Sequence, residues 1–198
     1  MVMPAKPQSG FTLLELMITI SVAAILAVIA YPNMRNFFLR NNVVAESNSL
    51  QASLQYARGQ AAATRSYVSI CPLAPASGST VNTVCDTGTG NYQYGWLVYT
   101  AASANSAYDS ATSTLQSAVG APSNMSVNAD QTGVLSYSAL GELVKGGQPV
   151  SATFKTCADA SAGDALGVST TAVPGIQLSA ADSGRIASTQ LAAGAACN

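Results

Sequence analysis

The chain has 198 residues, 9 % charged and 48 % hydrophobic, with eight basic side chains against nine acidic ones. A formal net charge of −1 supplies no global field to draw in nucleic acid or an acidic membrane surface, and the length suits one helix plus one modest domain. Histidine is absent, which removes the usual general base and the commonest metal ligand.

Residues 1–10 form a short polar stretch with one basic residue, Lys6, and end at Gly10. The twenty residues that follow, 11–30, contain only four polar side chains: Thr12, Glu15, Thr19 and Ser21. About 20 apolar residues in a helix span the hydrocarbon core of a bilayer, and an ionisable group inside such a span is costly enough to mark function and demand a partner. Cutting the chain after Gly10 would create one, the new α-amino group of Phe11, four residues from Glu15. A cleavable secretory signal fits poorly, since its apolar stretch is shorter and ends at small residues, whereas this run leads into Tyr31-Pro32-Asn33.

Lys6, Gly10, Phe11-Thr12-Leu13-Leu14-Glu15 and the apolar run closing at Tyr31-Pro32 together resemble the type IV pilins and pseudopilins. The resemblance implies that residues 1–10 are a prepilin leader, that a prepilin peptidase cleaves between Gly10 and Phe11, and that Phe11 is N-methylated. It implies that Glu15 neutralises the first residue of a neighbouring subunit, so that subunits assemble in one register. It places the chain in a bacterial inner membrane by residues 11–31, head in the periplasm, before assembly into a pilus or pseudopilus. Losing the leader would leave 7 basic against 9 acidic residues.

Residues 11 to about 65 are predicted to form one helix. Pro32 removes a backbone hydrogen bond there, so a kink or local melting is expected near residues 30–31. In the second half, 32–66, Val43, Ser47, Leu50, Leu54, Ala57 and Ala61 recur at three- and four-residue intervals, the stripe of an amphipathic helix. Arg35, Arg40, Glu46, Gln51, Gln55 and Arg58 are placed to stay solvated. At 1.5 Å per residue a 55-residue helix would reach roughly 80 Å, longer than a small domain, so a stalk carrying a head is expected. From Tyr67 the period changes. Segments 67–72 and 92–100 are rich in β-branched and aromatic residues, and further strands are expected at 133–138, 142–145, 149–157, 174–179 and 184–190. Gly146-Gly147 and Pro174-Gly175 separate some of them. Residues 101–118, mostly Ala and Ser without a period, are expected to be a surface insertion. The fold class is α+β, a long N-terminal helix packed on an antiparallel head at 67–198.

The head is similar to the GspH/FimT branch, FimT/FimU minor pilins included. Leu54-Gln55-Tyr56-Ala57-Arg58, Ala61-Ala62, Val68-Ser69-Ile70-Cys71, Gly95-Trp96-Leu97-Val98-Tyr99 and Gly184-Arg185 carry the likeness. It implies a noncatalytic minor pilin that primes assembly with other minor and major pilins and an inner-membrane platform, and remains at or near the fibre tip. A pseudopilin of type II secretion is the alternative within the class, and a DNA receptor for natural transformation the alternative outside it. The DNA motif of that branch, Gly-Arg-x-Arg, is here Gly184-Arg185-Ile186-Ala187. Phosphate affinity grows with the number of phosphates neutralised, and Arg185 alone contributes little.

Cys71, Cys85, Cys157 and Cys197 lie outside the apolar run, and in an exported head an even count implies two disulfides. Four cysteines can pair in three ways; sequence neighbours suggest Cys71 with Cys85 and Cys157 with Cys197. Without histidine or a Cys-x-x-Cys spacing no metal or other cofactor is expected. Lys145 and Lys155 sit in no catalytic motif, so no enzyme is expected. Thr87-Gly88-Thr89-Gly90 lacks the lysine of a phosphate loop and is expected to be a turn. Asn124-Met125-Ser126 has only the form of a glycosylation sequon, and Trp96 is expected in the core.

Overall fold

The structure is a computed structural model that describes residues 11–75, 83–120, 125–158 and 167–197; at 29, 30, 32 and 33 only the backbone is described. The leader, Gly10 and Asn124 therefore lie outside the described residues. The chain divides into two units, Met1–Phe38 and Leu39–Asn198. Helix α1, Leu13–Thr64, contributes to both. The helical assignment runs unbroken through position 32, so local melting there is absent.

Thr12 starts α1: its carbonyl accepts the first helical bond from the Leu16 amide, and its hydroxyl accepts the Glu15 amide at 3.2 Å. That hydroxyl satisfies one of the amide donors a helix start leaves unpaired. The helix ends at Arg65, whose φ of 53° reverses the chain into the first strand. A left-handed residue is a common helix terminator, more often glycine.

In the second unit the strands are β1 Tyr67–Pro72, β2 Trp96–Ala101, β3 Thr114–Val119, β4 Met125–Ala129, β5 Leu135–Tyr137, β6 Leu143–Lys145, β7 Gln148–Pro149, β8 Ala152–Ala158, β9 Ile176–Ala180 and β10 Ile186–Gln190. They make two antiparallel sheets, ordered β3-β2-β1-β5-β6-β7 and β10-β9-β8-β4. The apolar stripe of α1 joins them. Leu50, Leu54, Ala57 and Ala61 pack in one buried cluster with Val68, Ile70, Trp96, Val98 and Leu135 of the first sheet and Val127, Phe154 and Leu178 of the second. Trp96 is fully buried and donates its indole N–H to Ser53 Oγ at 2.9 Å. The opposite face of the first sheet carries a second cluster, with Cys71, Leu97, Tyr99 and Val134 under Tyr108.

Several expectations need correcting. Residues 101–118 are not a free insertion, because Thr114–Val119 is a strand paired with Trp96–Ala101. The loop before it is pinned: Asn105 donates its side-chain amide to the Val134 and Val144 carbonyls, and Tyr99 donates its hydroxyl to Ser106 O at 2.7 Å. Strand β4 was not anticipated, and the expected 149–157 strand is split into β7 and β8. Glu46, placed with the solvated residues, is only 6 % exposed. Arg40 is exposed yet donates to the Thr171 and Ala172 carbonyls, and Arg58 is half-buried.

Candidate functional site

In the first unit the chemistry is set by what is uncovered. Phe11, Leu13, Leu14, Leu16, Met17, Ile18, Ile20, Val22, Ile25, Leu26 and Val28 are all exposed. The polar side chains among them turn inward onto their own backbone: Thr19 donates to Leu16 O at 2.9 Å and Ser21 to Met17 O at 2.8 Å. Such local bonds let a hydroxyl sit in an apolar surround without an unpaired donor. Glu15 is different. Among the described residues its carboxylate has no hydrogen-bond or ion-pair partner. It stands in the first turn of α1, three residues after the capping Thr12. This Thr-x-x-Glu spacing is the signature of a capping box and was legible in the sequence. The partial positive charge of the helix start favours a carboxylate there without removing its need for a counter-charge in a dry surround. Among the described residues no helix is long and apolar enough to cross a membrane; the apolar run of the sequence goes on through Ile29 and Ala30, whose side chains lie outside the description.

In the second unit the cysteines are joined Cys71–Cys85, with Cα atoms 5.6 Å apart, and Cys157–Cys197, 6.0 Å apart. The first holds the chain beside β1 over the second cluster, where the Tyr108 amide donates to Cys85 Sγ. The other anchors the C-terminal segment to β8, supported by the Asn128 side-chain amide donating to Cys197 O at 2.6 Å. The 87–90 stretch is a turn built on Asp86, which accepts from the Thr89 hydroxyl and from the Gly88 and Thr89 amides. Those bonds, the hydroxyl first, hold the Asp86 carboxyl below the usual carboxylate range. Lys145 donates to Gln131 Oε1 and Thr132 Oγ1 at 3.3 Å each.

Arg185 precedes β10 on the β9–β10 turn and is exposed; its carbonyl accepts the Ala181 amide at 2.8 Å, while its guanidinium has no partner among the described residues. The residue beneath it was not singled out for function from the sequence. Arg58 of α1 donates Nε to Gly141 O at 3.1 Å and Nη2 to Ser183 O at 3.0 Å. It thus holds the β5–β6 turn of one sheet against the β9–β10 turn of the other. Both turns need glycine: Gly141 has φ 77° and Gly184 has φ 76°, and a Cβ on Gly184 would run into Gly141 O and Arg58. The sequence separations of 83 and 125 residues hide this clamp from local reading.

A family model described as Type II transport protein GspH matches residues 46–172, more than half of the chain. The chain belongs to the GspH family. A second model, the prokaryotic N-terminal methylation motif, matches residues 5–31, the segment that contains Gly10, Phe11 and Glu15. Two crystal structures of the type IV minor pilin FimU of Pseudomonas aeruginosa share the fold. One aligns at a TM-score of 0.55 and 21 % identity over 79 % of this chain and 98 % of the crystallised FimU chain, the other at 0.50 and 19 % over 78 % and 98 %. The protein is thus a type IV pilin-like member of the GspH family that shares the fold of FimU, a helix followed by antiparallel sheets.

Proposed function

We propose that this GspH-family chain is a noncatalytic minor pilin of a type IV pilus that primes assembly and stays at or near the fibre tip. The observation that carries the proposal is the uncovered apolar first part of α1, in which Glu15 is the one polar side chain without a partner among the described residues. A surface of that kind is stable only in lipid or among like helices. In this account the prepilin peptidase cleaves between Gly10 and Phe11 and the new amino terminus is methylated. Residues 11–31 hold the subunit in the inner membrane with the head in the periplasm. During assembly the Glu15 carboxylate pairs with the α-amino group of a neighbour's Phe11, and Pro32 kinks the helix. The partners are other minor and major pilins and the assembly platform. The description of the matching family favours a second reading, a pseudopilus of type II secretion.

Fractionation with intact-mass analysis tests this. Sheared surface fibres should contain the chain without residues 1–10 and with one added methyl group. A chain that keeps residues 1–10 in cells with active peptidase overturns the processing step. A processed chain absent from surface fibres, whose deletion blocks type II secretion, selects the second reading.

A further inference from the structure

A groove runs between α1 and the two turns that Arg58 clamps, lined among others by Gln55, Ala62, Leu140, Ile186, Arg58 and Arg185. Its lining is mostly apolar and holds two guanidinium groups but no carboxylate. Arg58 spends its contacts on two uncharged carbonyls, so its charge is unmatched, and the Arg185 guanidinium has no hydrogen-bond or ion-pair partner among the described residues. Beside them stands Leu140, at 81 % the most exposed large hydrophobic side chain described in Leu39–Asn198. It does not sit on a loose loop. The turn that carries it is closed by Gly141 N donating to Ser138 O at 2.8 Å and Ser138 N donating to Glu142 O at 2.9 Å, and Arg58 fastens it to the helix. An apolar tip on a firmly closed turn, next to the fixed guanidinium of Arg58 and the unpaired one of Arg185, is the composition of an interface anchor with a charged rim.

We propose that this groove docks the head of a neighbouring subunit of the same fibre, through an Asp or Glu side chain that pairs with Arg185 and an apolar side chain that packs on Leu140 and Ile186. The inference rests on the proposed function and names the surface by which the head, rather than the N-terminal helix, selects its neighbour. Charge complementarity chooses the occupant. Two guanidiniums without an acid attract a carboxylate, and planar guanidinium suits it bidentately. The apolar lining gives a protein side chain a place that a polyanionic backbone would leave empty, so a peptide segment is favoured over a nucleic-acid phosphate. Arg58 is the positioning residue, because it sets the separation of the two turns that present Leu140 and Arg185.

The experiment uses the full chain in piliated cells. A benzophenone amino acid at position 140 should crosslink to another pilin subunit on illumination, and the adduct should map to a segment bearing an acidic residue. Arg185→Glu should lower the amount of the chain in sheared fibres roughly tenfold relative to membranes, as loss of a close interfacial charge pair does, while Arg185→Lys retains most of it. Reversing the mapped acid to lysine should restore incorporation of Arg185→Glu. Wild-type incorporation of Arg185→Glu, or a nuclease-sensitive adduct in place of a pilin adduct, overturns the proposal. Because the crosslink is made with Arg185 intact, a folding defect of Arg185→Glu cannot stand in for it. If the wild-type chain itself is missing from fibres, the proposed function fails and takes the docking proposal with it. If the wild type is present and only the groove tests fail, the function stands alone.

Discussion

Single residues in the head carry costs that can be measured. Glu46 is 6 % exposed and its Oε1 atom has no hydrogen-bond partner, and burial raises its carboxyl above the ordinary value of 4.5. A folded-state pKa raised above the unfolded one means that the native chain holds the extra proton. Stability therefore falls as pH rises from the ordinary carboxylate range through the raised value and stays lower above it. Glu46→Gln should raise the melting temperature of the detergent-solubilised chain at pH 7 and flatten this acid-side slope; an unchanged slope would show that the carboxylate is not buried. Gly184 points the other way. Its φ of 76° and the lack of room between Gly141 O and Arg58 make Gly184→Ala destabilising by about 2 kcal/mol, read as a lower urea midpoint. Arg65, at φ 53°, should accept glycine with a gain of about 1 kcal/mol, the left-handed penalty removed.

Among the elements, the helix stripe and the disulfides hold the head together. Leu54 is fully buried in the cluster that α1 shares with both sheets, so Leu54→Ala should cost about 3 kcal/mol. Replacing Cys157 and Cys197 by serine opens a 40-residue link and should cost about 4 kcal/mol on a chain-entropy estimate. Equal melting curves with and without the bond would contradict that role. The stripe was legible in the sequence because a helix that buries one face writes its period into the chain: every residue read as facing the core, from Val43 to Ala61, is buried. Glu46 broke the pattern because only its polarity, not its spacing, was weighed; it lies three residues after Val43. Strand β3 was missed for a physical reason. It is a sheet edge whose residues are exposed or half-exposed on both faces, so no alternation marks it. The Arg58 clamp was invisible because hydrogen bonds to distant carbonyls leave no local signal, whereas the two glycines it needs could be seen without revealing that they meet.

For the whole molecule, the question is what covers the first unit. Its apolar side chains and its one unpartnered carboxylate find no complement among the described residues of the chain, and the family to which the chain belongs supplies both lipid and neighbouring helices as candidates. Glu15→Leu separates the two. Insertion should be unharmed or improved, because a charge at the centre of a span costs a few kcal/mol on insertion scales, and leader removal should persist because Gly10 is unchanged. The decisive measurement is quantitative immunoblotting of Glu15→Leu in sheared fibres against membranes, with fibre number counted in parallel. A normal membrane level and a loss from fibres are expected; entry into fibres at the wild-type level with fibre number unchanged would show that Glu15 has no part in assembly.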